Sequence, residues 1–318
     1  MHAVILGGTG ALGGATAATL AAAGWAVDVT GRDPSGMPAE LERAGVRFHR
    51  VDRHDIHGIG RLVGADTGLL VDVLAFKGAD VHALLPVLSA VGHTVVISGR
   101  AVYVDSAGRN INGDEPPRFA VPIREDNPTL PPAGDDVDPF TRDGYAPSKV
   151  AVEHAALDSG LPVTVIRPAK VHGRWARNPR TRMFVERMAN GESPIELADN
   201  GSSIDHLTAA SNAAALIESI AVQPGRRILN SADPDTPTAE QIVRSIGERI
   251  GWNGELELID DRTDPQRGHH PWRAAHPIVL DTGAATDLGY LPVGSSLDLL
   301  TEEIDWLLEA IAPATDAR

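Results

Sequence analysis

Short apolar runs alternate with longer helical patterns along the first half of the chain. The runs that predict strands are almost continuously apolar and lie at 3–6, 26–30, 46–51, 69–74 and 94–98. Between them, alanine-rich and amphipathic stretches predict helices, most clearly at 11–23, because alanine is the best helix former. Strands that are apolar on both faces and separated by helices are typical of a covered parallel sheet. The pattern therefore predicts an α/β fold with a doubly wound parallel sheet.

A glycine-rich turn follows the first predicted strand directly. Its spacing is Gly-x-x-Gly-x-x-Gly, and the next helix is predicted to begin at Ala11. Glycines at this spacing allow a sharp turn, a close approach of backbone N–H groups to a pyrophosphate, and tight packing of helix on strand. The positive end of the helix attracts phosphates. A flexible turn is the alternative, but we predict a dinucleotide site. Its predicted contacts are Gly7, Thr9, Gly10, Ala11, Leu12 and Gly13.

The residues after the second and third predicted strands bear on which dinucleotide binds. In such folds an acidic residue after the second strand favours NAD, whereas a nearby arginine accommodates the 2′-phosphate of NADP. Here Gly31 is followed by Arg32, so NADP is favoured over NAD, and Asp33 is the residue that would reverse this prediction. Asp52 and Arg53 follow the third strand, where a carboxylate can accept the adenine amino group. Both are included in the predicted cofactor site.

Composition narrows the class of protein. The chain of 318 residues is long enough for one large domain or two lobes. Its formal net charge of −15 disfavours nucleic acid and anionic membranes as partners. No stretch approaches the roughly 20 apolar residues of a membrane span, and Met1 leads straight into a strand, so we expect a cytoplasmic protein with a small-molecule substrate. The chain has no cysteine, which excludes disulfides and thiolate catalysis.

A candidate catalytic pair follows a long irregular segment. Residues 105–143 are rich in Pro, Asp and Gly and predict either a cover over the substrate or a mobile loop. A helical pattern then places Tyr145 and Lys149 four residues apart, on one helix face. An ammonium beside a phenol lowers the phenol pKa from about 10 toward the range of a general acid/base. A solvated helix face is the alternative, but behind a nucleotide motif we favour the catalytic interpretation.

Together these motifs resemble the extended short-chain dehydrogenase/reductase family, also described as NAD-dependent epimerases/dehydratases. The resemblance covers nearly the whole chain and is carried by the glycine spacing, Val102-Tyr103, Tyr145-x-x-x-Lys149 with Ser148, and Val165-Ile166-Arg167-Pro168. It implies a Rossmann-type domain at 1–172, which the strand and helix near 226–250 rejoin. It also implies a smaller α/β lobe at 173–318 that mainly binds substrate. Homodimers are common in this family, so a homodimer is a further expectation.

The resemblance also assigns roles to residues. Tyr145 is then the acid/base, and Lys149 holds the nicotinamide ribose, with Ala75 and Pro168 among the cofactor contacts. A serine or threonine orients the substrate oxygen in the family, but Gly99 occupies that position here. Ser98 is the candidate replacement, although alternation along a strand directs it away from the site unless a bulge turns it.

Two functions follow from these motifs. The first is NAD(P)-dependent hydride transfer to or from a carbonyl or secondary alcohol of a sugar nucleotide or small metabolite. Arg32 favours reduction driven by NADPH in that case. The alternative is a catalytically impaired protein that binds a nucleotide or a partner on the same fold, and Gly99 motivates it.

The second lobe offers the candidate substrate residues. The family's Val-Tyr-Gly-Pro is replaced by Val171-His172-Gly173-Arg174, so a histidine stands as a second acid/base or as a packed residue. Five arginines at 174, 177, 180, 182 and 187 suit a diphosphate or, alternatively, a surface helix paired with acids. Adjacent His269 and His270 lack metal-site spacing, so we expect no metal. The predicted substrate contacts are Arg100, His172, Arg174 and Trp175.

Overall fold

The computed structural model of the protein describes residues 1–260 and 266–311, in which strands alternate with helices. The strands are β1 (His2–Leu6), β2 (Ala26–Gly31), β3 (Arg47–Arg50), β4 (Thr67–Asp72), β5 (His93–Ile97), β6 (Val163–Pro168), β7 (Lys170–His172), β8 (Ile195–Leu197), β9 (Leu207–Ala209), β10 (Arg227–Ser231) and β11 (Leu256–Leu258). The α-helices are α1 (Ala11–Ala22), α2 (Ala39–Arg43), α3 (Ile56–Leu62), α4 (Gly78–Leu88), α5 (Arg142–Asp158), α6 (Arg180–Ala189), α7 (Ala210–Ala221), α8 (Ala239–Ile250), α9 (Gly283–Thr286) and α10 (Ser296–Ile311).

Seven of these strands form one sheet in the order β3-β2-β1-β4-β5-β6-β10. Every pair in this sheet is parallel. Both β1 and β5 are buried along their whole length, because helices cover both faces of the sheet. The predicted doubly wound fold of the Rossmann type is therefore confirmed.

Helices pack on both faces of the main sheet. Leu20 of α1 and Ile217 of α7 are fully buried in one apolar cluster, which also contains Val95 of β5. The next residue along the strand, Val96, lies in a different cluster together with side chains of α4 and α5. Successive residues of β5 thus pack on opposite layers, as the strand period of two requires.

The second lobe has its own core, built by α6, α8 and α10. Phe184, Ile246 and Ile304, one from each helix, are fully buried in one cluster. The short strands β8 and β11 pair with each other beside these helices. β10 lies at the edge of the main sheet, whereas the helix that follows it within 226–250 contributes to this second core. The apolar stripe of α8 packs against α6 and α10 instead.

The irregular segment between β5 and α5 packs against the rest of the molecule. Ile123 is 1% exposed and forms a parallel bridge with Leu280. Asp105 organises the first part of the segment by accepting the backbone N–H groups of Arg109 and Arg118. These bonds, that of Arg118 above all, hold the pKa of Asp105 well below its usual range. The structure therefore shows a packed segment, and its role as a cover over the substrate stays a prediction.

Among the described helices, none combines the length and the hydrophobicity that crossing a bilayer requires.

Candidate active site

The glycine turn between β1 and α1 is closed on one side and open on the other. Gly7 has a φ of +90°, in the left-handed region that favours glycine. A Cβ on Gly13 would overlap the carbonyl oxygen of Gly7, so α1 begins in direct contact with the end of β1. A Cβ on Gly10 would meet no atom within 4 Å. No described side chain caps the first N–H groups of α1, at Ala11 and Leu12. The turn is thus open where an anion has to approach.

The end of β2 lies beside this turn. A Cβ on Gly31 would lie 3.9 Å from Cγ2 of Thr9. The carboxylate of Asp33 accepts the backbone N–H of Ser35 at 2.9 Å, and hydrogen bonding by Ser35 lowers the pKa of Asp33. Asp33 is therefore engaged in its own turn. Arg32 is exposed and stays the predicted contact of a 2′-phosphate.

The predicted cofactor residues after β3 have different surroundings. Asp52 lies at the surface, where its carboxylate accepts the backbone N–H of His54 at 2.9 Å. Arg53 is buried and donates to the carboxylate of Asp72 at 2.7 Å and to the carbonyl of Asp80 at 2.9 Å. Its Nε and Nη1 atoms are buried without a hydrogen-bond partner among the described residues. These two donors remain available for a bound group.

Helix α5 brings Tyr145 and Lys149 to the carboxyl ends of β4 and β5. The Nζ atom of Lys149 donates to the carbonyl of Ala75 at 2.6 Å and to that of Ile97 at 3.0 Å. The same atom lies 4.4 Å from the ring centroid of Phe76. The ammonium is therefore held between the ends of two neighbouring strands, at the edge where ligands bind in open parallel sheets. Pro168, another predicted cofactor contact, ends the next strand, β6.

Burial shifts the pKa values of both members of this pair. It lowers the pKa of Lys149 to about 8. It raises the pKa of Tyr145, and the charge that opposes this rise belongs to Arg100. The Nζ of Lys149 is 5.9 Å from the Tyr145 ring centroid and bonds to carbonyl groups instead. The expectation that Lys149 lowers the phenol pKa is therefore wrong for the protein without ligand, and the phenol keeps its proton at neutral pH.

Gly99 faces the phenol, whereas Ser98 does not bond to it. A Cβ on Gly99 would lie 3.4 Å from the Oη atom of Tyr145. The Oγ of Ser98 donates to Glu153 at 2.5 Å, and Glu153 pairs with Arg167 at 2.6 Å. The hydroxyl of the predicted catalytic residue Ser98 is therefore engaged by Glu153 and not by the phenol. Alternation along the strand directs its hydroxyl into a buried ion pair.

A cavity of about 430 Å³ lies between the second lobe and the segment that follows β5. Asp205 in its wall pairs with Arg100 at 2.6 Å and with Lys170 at 2.6 Å. The predicted substrate residue Arg100 therefore lines this cavity and also acts on the phenol of Tyr145. Other lining residues include Asn112, Pro116, Arg273 and His276.

Sequence reasoning did not select Lys170 or Asp205. The available signal for Lys170 was a lone lysine directly after the apolar run of β6. Asp205 stands in a short polar stretch, 35 residues further on, and nothing local links it to Lys170. Only the pairing of β7 with β9 brings these two segments together.

Three predicted substrate residues do not line this cavity. His172 is 4% exposed, and its Nε2 lies 3.0 Å from a carboxylate oxygen of Asp233, so it is a packed histidine. Trp175 packs on α1, where a Cβ on Gly14 would overlap its ring. Arg174 and Trp175 line another cavity, of about 740 Å³, at the outer face of α1. Trp175 has a left-handed backbone, with a φ of 63°, where its segment packs against α1.

The five arginines of this region do not form one phosphate site. Arg177 alone of the five contacts the glycine turn, where its Nη2 donates to Oγ1 of Thr9 at 3.1 Å. The others bond to protein groups: Arg174 to Glu40, Arg180 to the carbonyl of Val171, Arg182 to Glu186 and Arg187 to Glu192. Most of this cluster is therefore a surface paired with acids.

Comparison of the sequence with family profiles gives a match to the NAD dependent epimerase/dehydratase family over residues 3–227. The matched range contains the glycine turn, Tyr145 and Lys149. The chain belongs to this family of enzymes, and the resemblance that the motifs indicate is confirmed. Comparison with curated proteins gives no match.

Solved structures of similar fold span almost the whole chain. UDP-glucose 4-epimerase from Thermotoga maritima, solved with UDP-glucose, has a TM-score of 0.70 at 19% identity, with 98% of this chain and 99% of that chain covered. dTDP-glucose 4,6-dehydratase from Bacillus anthracis, in complex with NAD, has a TM-score of 0.71 at 15% identity, with 98% and 97% covered. The Bordetella bronchiseptica enzyme WbmH, in complex with NAD+, has a TM-score of 0.72 at 16% identity, with 97% and 98% covered. At these identities the likeness establishes the fold.

The contact of Gly13 with Gly7 predicts a loss of stability on substitution. Gly13→Ala should lower the free energy of unfolding by roughly 2–4 kcal/mol, because the added methyl has to displace the backbone of Gly7. Gly10→Ala is the matched control, since its methyl meets no atom. It should leave stability within about 0.5 kcal/mol of the parent, or raise it slightly, because the backbone there suits alanine. Urea denaturation without nucleotide measures both, and equal losses would contradict this geometry.

The lowered pKa of Lys149 predicts a pH-dependent contribution to stability. Burial moves this pKa from 10.5 to about 8, so between these values the unfolded chain binds more protons than the folded one. The burial penalty is therefore complete below pH 8 and is relieved as the pH rises. Relative to Lys149→Met, the parent should gain roughly 2–3 kcal/mol between pH 8 and about 10.5. Denaturation of both proteins across this range measures the difference; a constant difference would contradict the shift.

Proposed function

We propose that this protein is an NADP(H)-dependent oxidoreductase that transfers hydride to or from a carbonyl or secondary alcohol of a sugar nucleotide or small metabolite. The observation that carries the proposal is the position of Tyr145 and Lys149 at the carboxyl ends of β4 and β5, with the phenol facing Gly99. Open parallel sheets bind their ligands along this edge. Two similar structures were solved with NAD.

The residues around the glycine turn fit a dinucleotide. The open side of Gly10 and the uncapped N–H groups of α1 form a cradle for a pyrophosphate. Arg177 adds a cation beside this cradle through its bond to Thr9. The two unpaired donors of Arg53 are buried polar atoms that a bound dinucleotide would satisfy. When bound, the dinucleotide supplies or accepts the hydride.

Side chains of the protein handle the proton. Because burial raises its pKa, the phenol of Tyr145 is protonated at neutral pH and donates to the substrate oxygen in the direction of reduction. Lys149, with a pKa of about 8, is mainly cationic at neutral pH. The charge of Arg100 stabilises the phenolate once the proton has left.

In this proposal the side chain at position 32 sets the preferred nucleotide and the preferred direction of the reaction. Arg32 is exposed beside the turn, while Asp33 is engaged by Ser35. A guanidinium there suits a 2′-phosphate, so NADP is favoured over NAD. NADPH is typically consumed in reductions, whereas an epimerase regenerates its own cofactor. We therefore favour reduction over epimerisation.

A second candidate function is supported by the missing hydroxyl at position 99. Loss of one positioning donor costs on the order of 10²-fold in rate. A protein that binds a nucleotide or a partner without turnover is therefore the competing proposal. Gly99→Ser places a hydroxyl next to the phenol. Turnover that appears only in this variant would favour the second function, and turnover in the parent would exclude it.

Removal of the phenol oxygen tests the proposed mechanism. Tyr145→Phe should lower kcat with NADPH by about 10³-fold, because it removes the group that donates the proton in the proposed mechanism. NADPH affinity should stay within about twofold, since the glycine turn is untouched. The measurements are NADPH oxidation with a panel of ketones and nucleotide-linked sugars, and a nucleotide titration. Tyr290→Phe is the matched control, because Tyr290 lies in the cluster of α1 and α7. Full turnover by Tyr145→Phe would show that the mechanism is wrong.

Replacement of Arg32 tests the nucleotide preference. Arg32→Ser should weaken NADPH binding by roughly 10- to 100-fold and leave NADH binding unchanged, because only NADPH carries the 2′-phosphate. Arg43→Ser, on the exposed surface of α2, is the control and should change neither affinity. Equilibrium titration of each variant with both nucleotides gives the four dissociation constants. A similar loss for NADPH and NADH would contradict the assignment.

A further inference from the structure

We infer that the cavity beside Arg100 binds a carboxylate of the substrate, so that the protein acts on small oxo acids. The inference deepens the proposed oxidoreductase function and rests on it. It starts from the wall of the cavity, where two buried cations share one carboxylate.

The charges in this wall do not balance. Arg100 and Lys170 both pair with Asp205, and the three side chains are 9%, 14% and 3% exposed. The remaining charged residues around the cavity have partners of opposite sign. Arg273 pairs with Asp199 at 2.7 Å, and Asp114, which is 96% exposed, pairs with Arg142. Among the residues that line the cavity, two cations against one carboxylate leave one positive charge in excess.

This buried excess is a site for an anion. A buried charge is costly unless an opposite charge or hydrogen bonds compensate it. The Nε of Arg100 is buried without a hydrogen-bond partner among the described residues. Burial, with the charge of Arg100 acting in the same sense, lowers the pKa of Lys170 to about 8. A carboxylate in the cavity supplies the missing negative charge and gives Arg100 a further acceptor.

The position of Arg100 links this anion to the reacting group. Arg100 follows Gly99 directly, and its charge acts on the phenol of Tyr145. A substrate held by its carboxylate at Arg100 therefore places its remaining atoms near the phenol, where Gly99 leaves room. Attachment at the charged end orients the oxo group without the serine or threonine hydroxyl that this family uses.

The same charges disfavour a sugar nucleotide. A single excess positive charge matches a monoanionic carboxylate rather than the two or more charges of a diphosphate. Four of the five arginines that were candidates for a diphosphate bond to protein groups instead. The fifth, Arg177, contacts the glycine turn at Thr9 and not the cavity.

Matched acids and esters test the inference. The probes are the three oxopentanoates, with the oxo group at carbon two, three or four, and the methyl ester of each, so that within a pair the ester lacks the charge and carries one additional methyl group. Dihydroxyacetone phosphate is the phosphate probe, and UDP-glucose is the sugar-nucleotide probe. We expect kcat/KM with NADPH to be roughly 30- to 100-fold higher for the best acid than for its ester.

Variants that remove a charge test whether the preference for acids over esters arises in the cavity. Arg100→Met removes a charge that acts on the phenol and should slow both substrates, but it should lower kcat/KM for the acid by roughly 30- to 100-fold more than for its ester. Arg100→Lys should recover part of the loss because it keeps the charge. Arg244→Met, an exposed arginine of α8 paired with Glu240, is the control and should change neither value. Thermal unfolding and NADPH titration verify folding, and Lys170→Met replaces Arg100→Met if that variant does not fold.

Calorimetric titration with pentanoate, in the presence of NADP+, separates this inference from the proposed function. Binding of pentanoate to the parent but not to Arg100→Met supports the carboxylate site, even if no probe is turned over. The absence of turnover would then count only against the proposed reaction. Esters turned over as fast as acids, or a preference for either phosphate-containing probe, would overturn the carboxylate site while leaving the oxidoreductase in place. Neither turnover nor pentanoate binding would overturn both.

Discussion

The two hydrogen bonds of the Lys149 ammonium position the rest of the site. A buried charge has to find its partners inside the protein, and Lys149 finds two carbonyls, that of Ala75 just beyond β4 and that of Ile97 at the end of β5. These bonds fix the rotation of α5 against the sheet. Tyr145 lies one turn earlier on the same face, so its phenol is held at the end of β5. The cost of this arrangement is visible in the lowered pKa of Lys149.

Three consecutive residues after β5 enter three different environments. Ser98 bonds to Glu153 beneath the sheet edge, Gly99 faces the phenol, and Arg100 extends into the cavity. The three residues therefore have three roles: Ser98 supports the structure, Gly99 leaves space for a substrate, and Arg100 supplies charge. At position 99 this chain lacks the hydroxyl that the family uses, and the next residue, Arg100, places a cation near the phenol of Tyr145. The replacement of a hydroxyl by a cation connects the proposed reaction with the inferred preference for an acidic substrate.

Much of the fold was predictable because its signals are local. Continuous apolar runs identify strands buried on both faces, and the glycine spacing identifies the turn after β1. The face shared by Tyr145 and Lys149 follows from helical period alone. The directions of the side chains of His172 and Trp175 were not predictable from the short motifs that contain them. His172 packs against Asp233, and Trp175 turns toward α1, because long-range partners decide where these side chains point.

The sequence by itself determined the order of strands and helices, the glycine turn, the spacing of Tyr145 and Lys149, and the absence of a hydroxyl at Gly99. These features depend on residues within a few positions of one another. Only the tertiary structure decided that burial raises the phenol pKa and that α8 belongs to the second lobe. It alone brought Lys170 and Asp205 to Arg100. Burial and charge balance depend on segments far apart in the chain, and their effects exist only once those segments pack together.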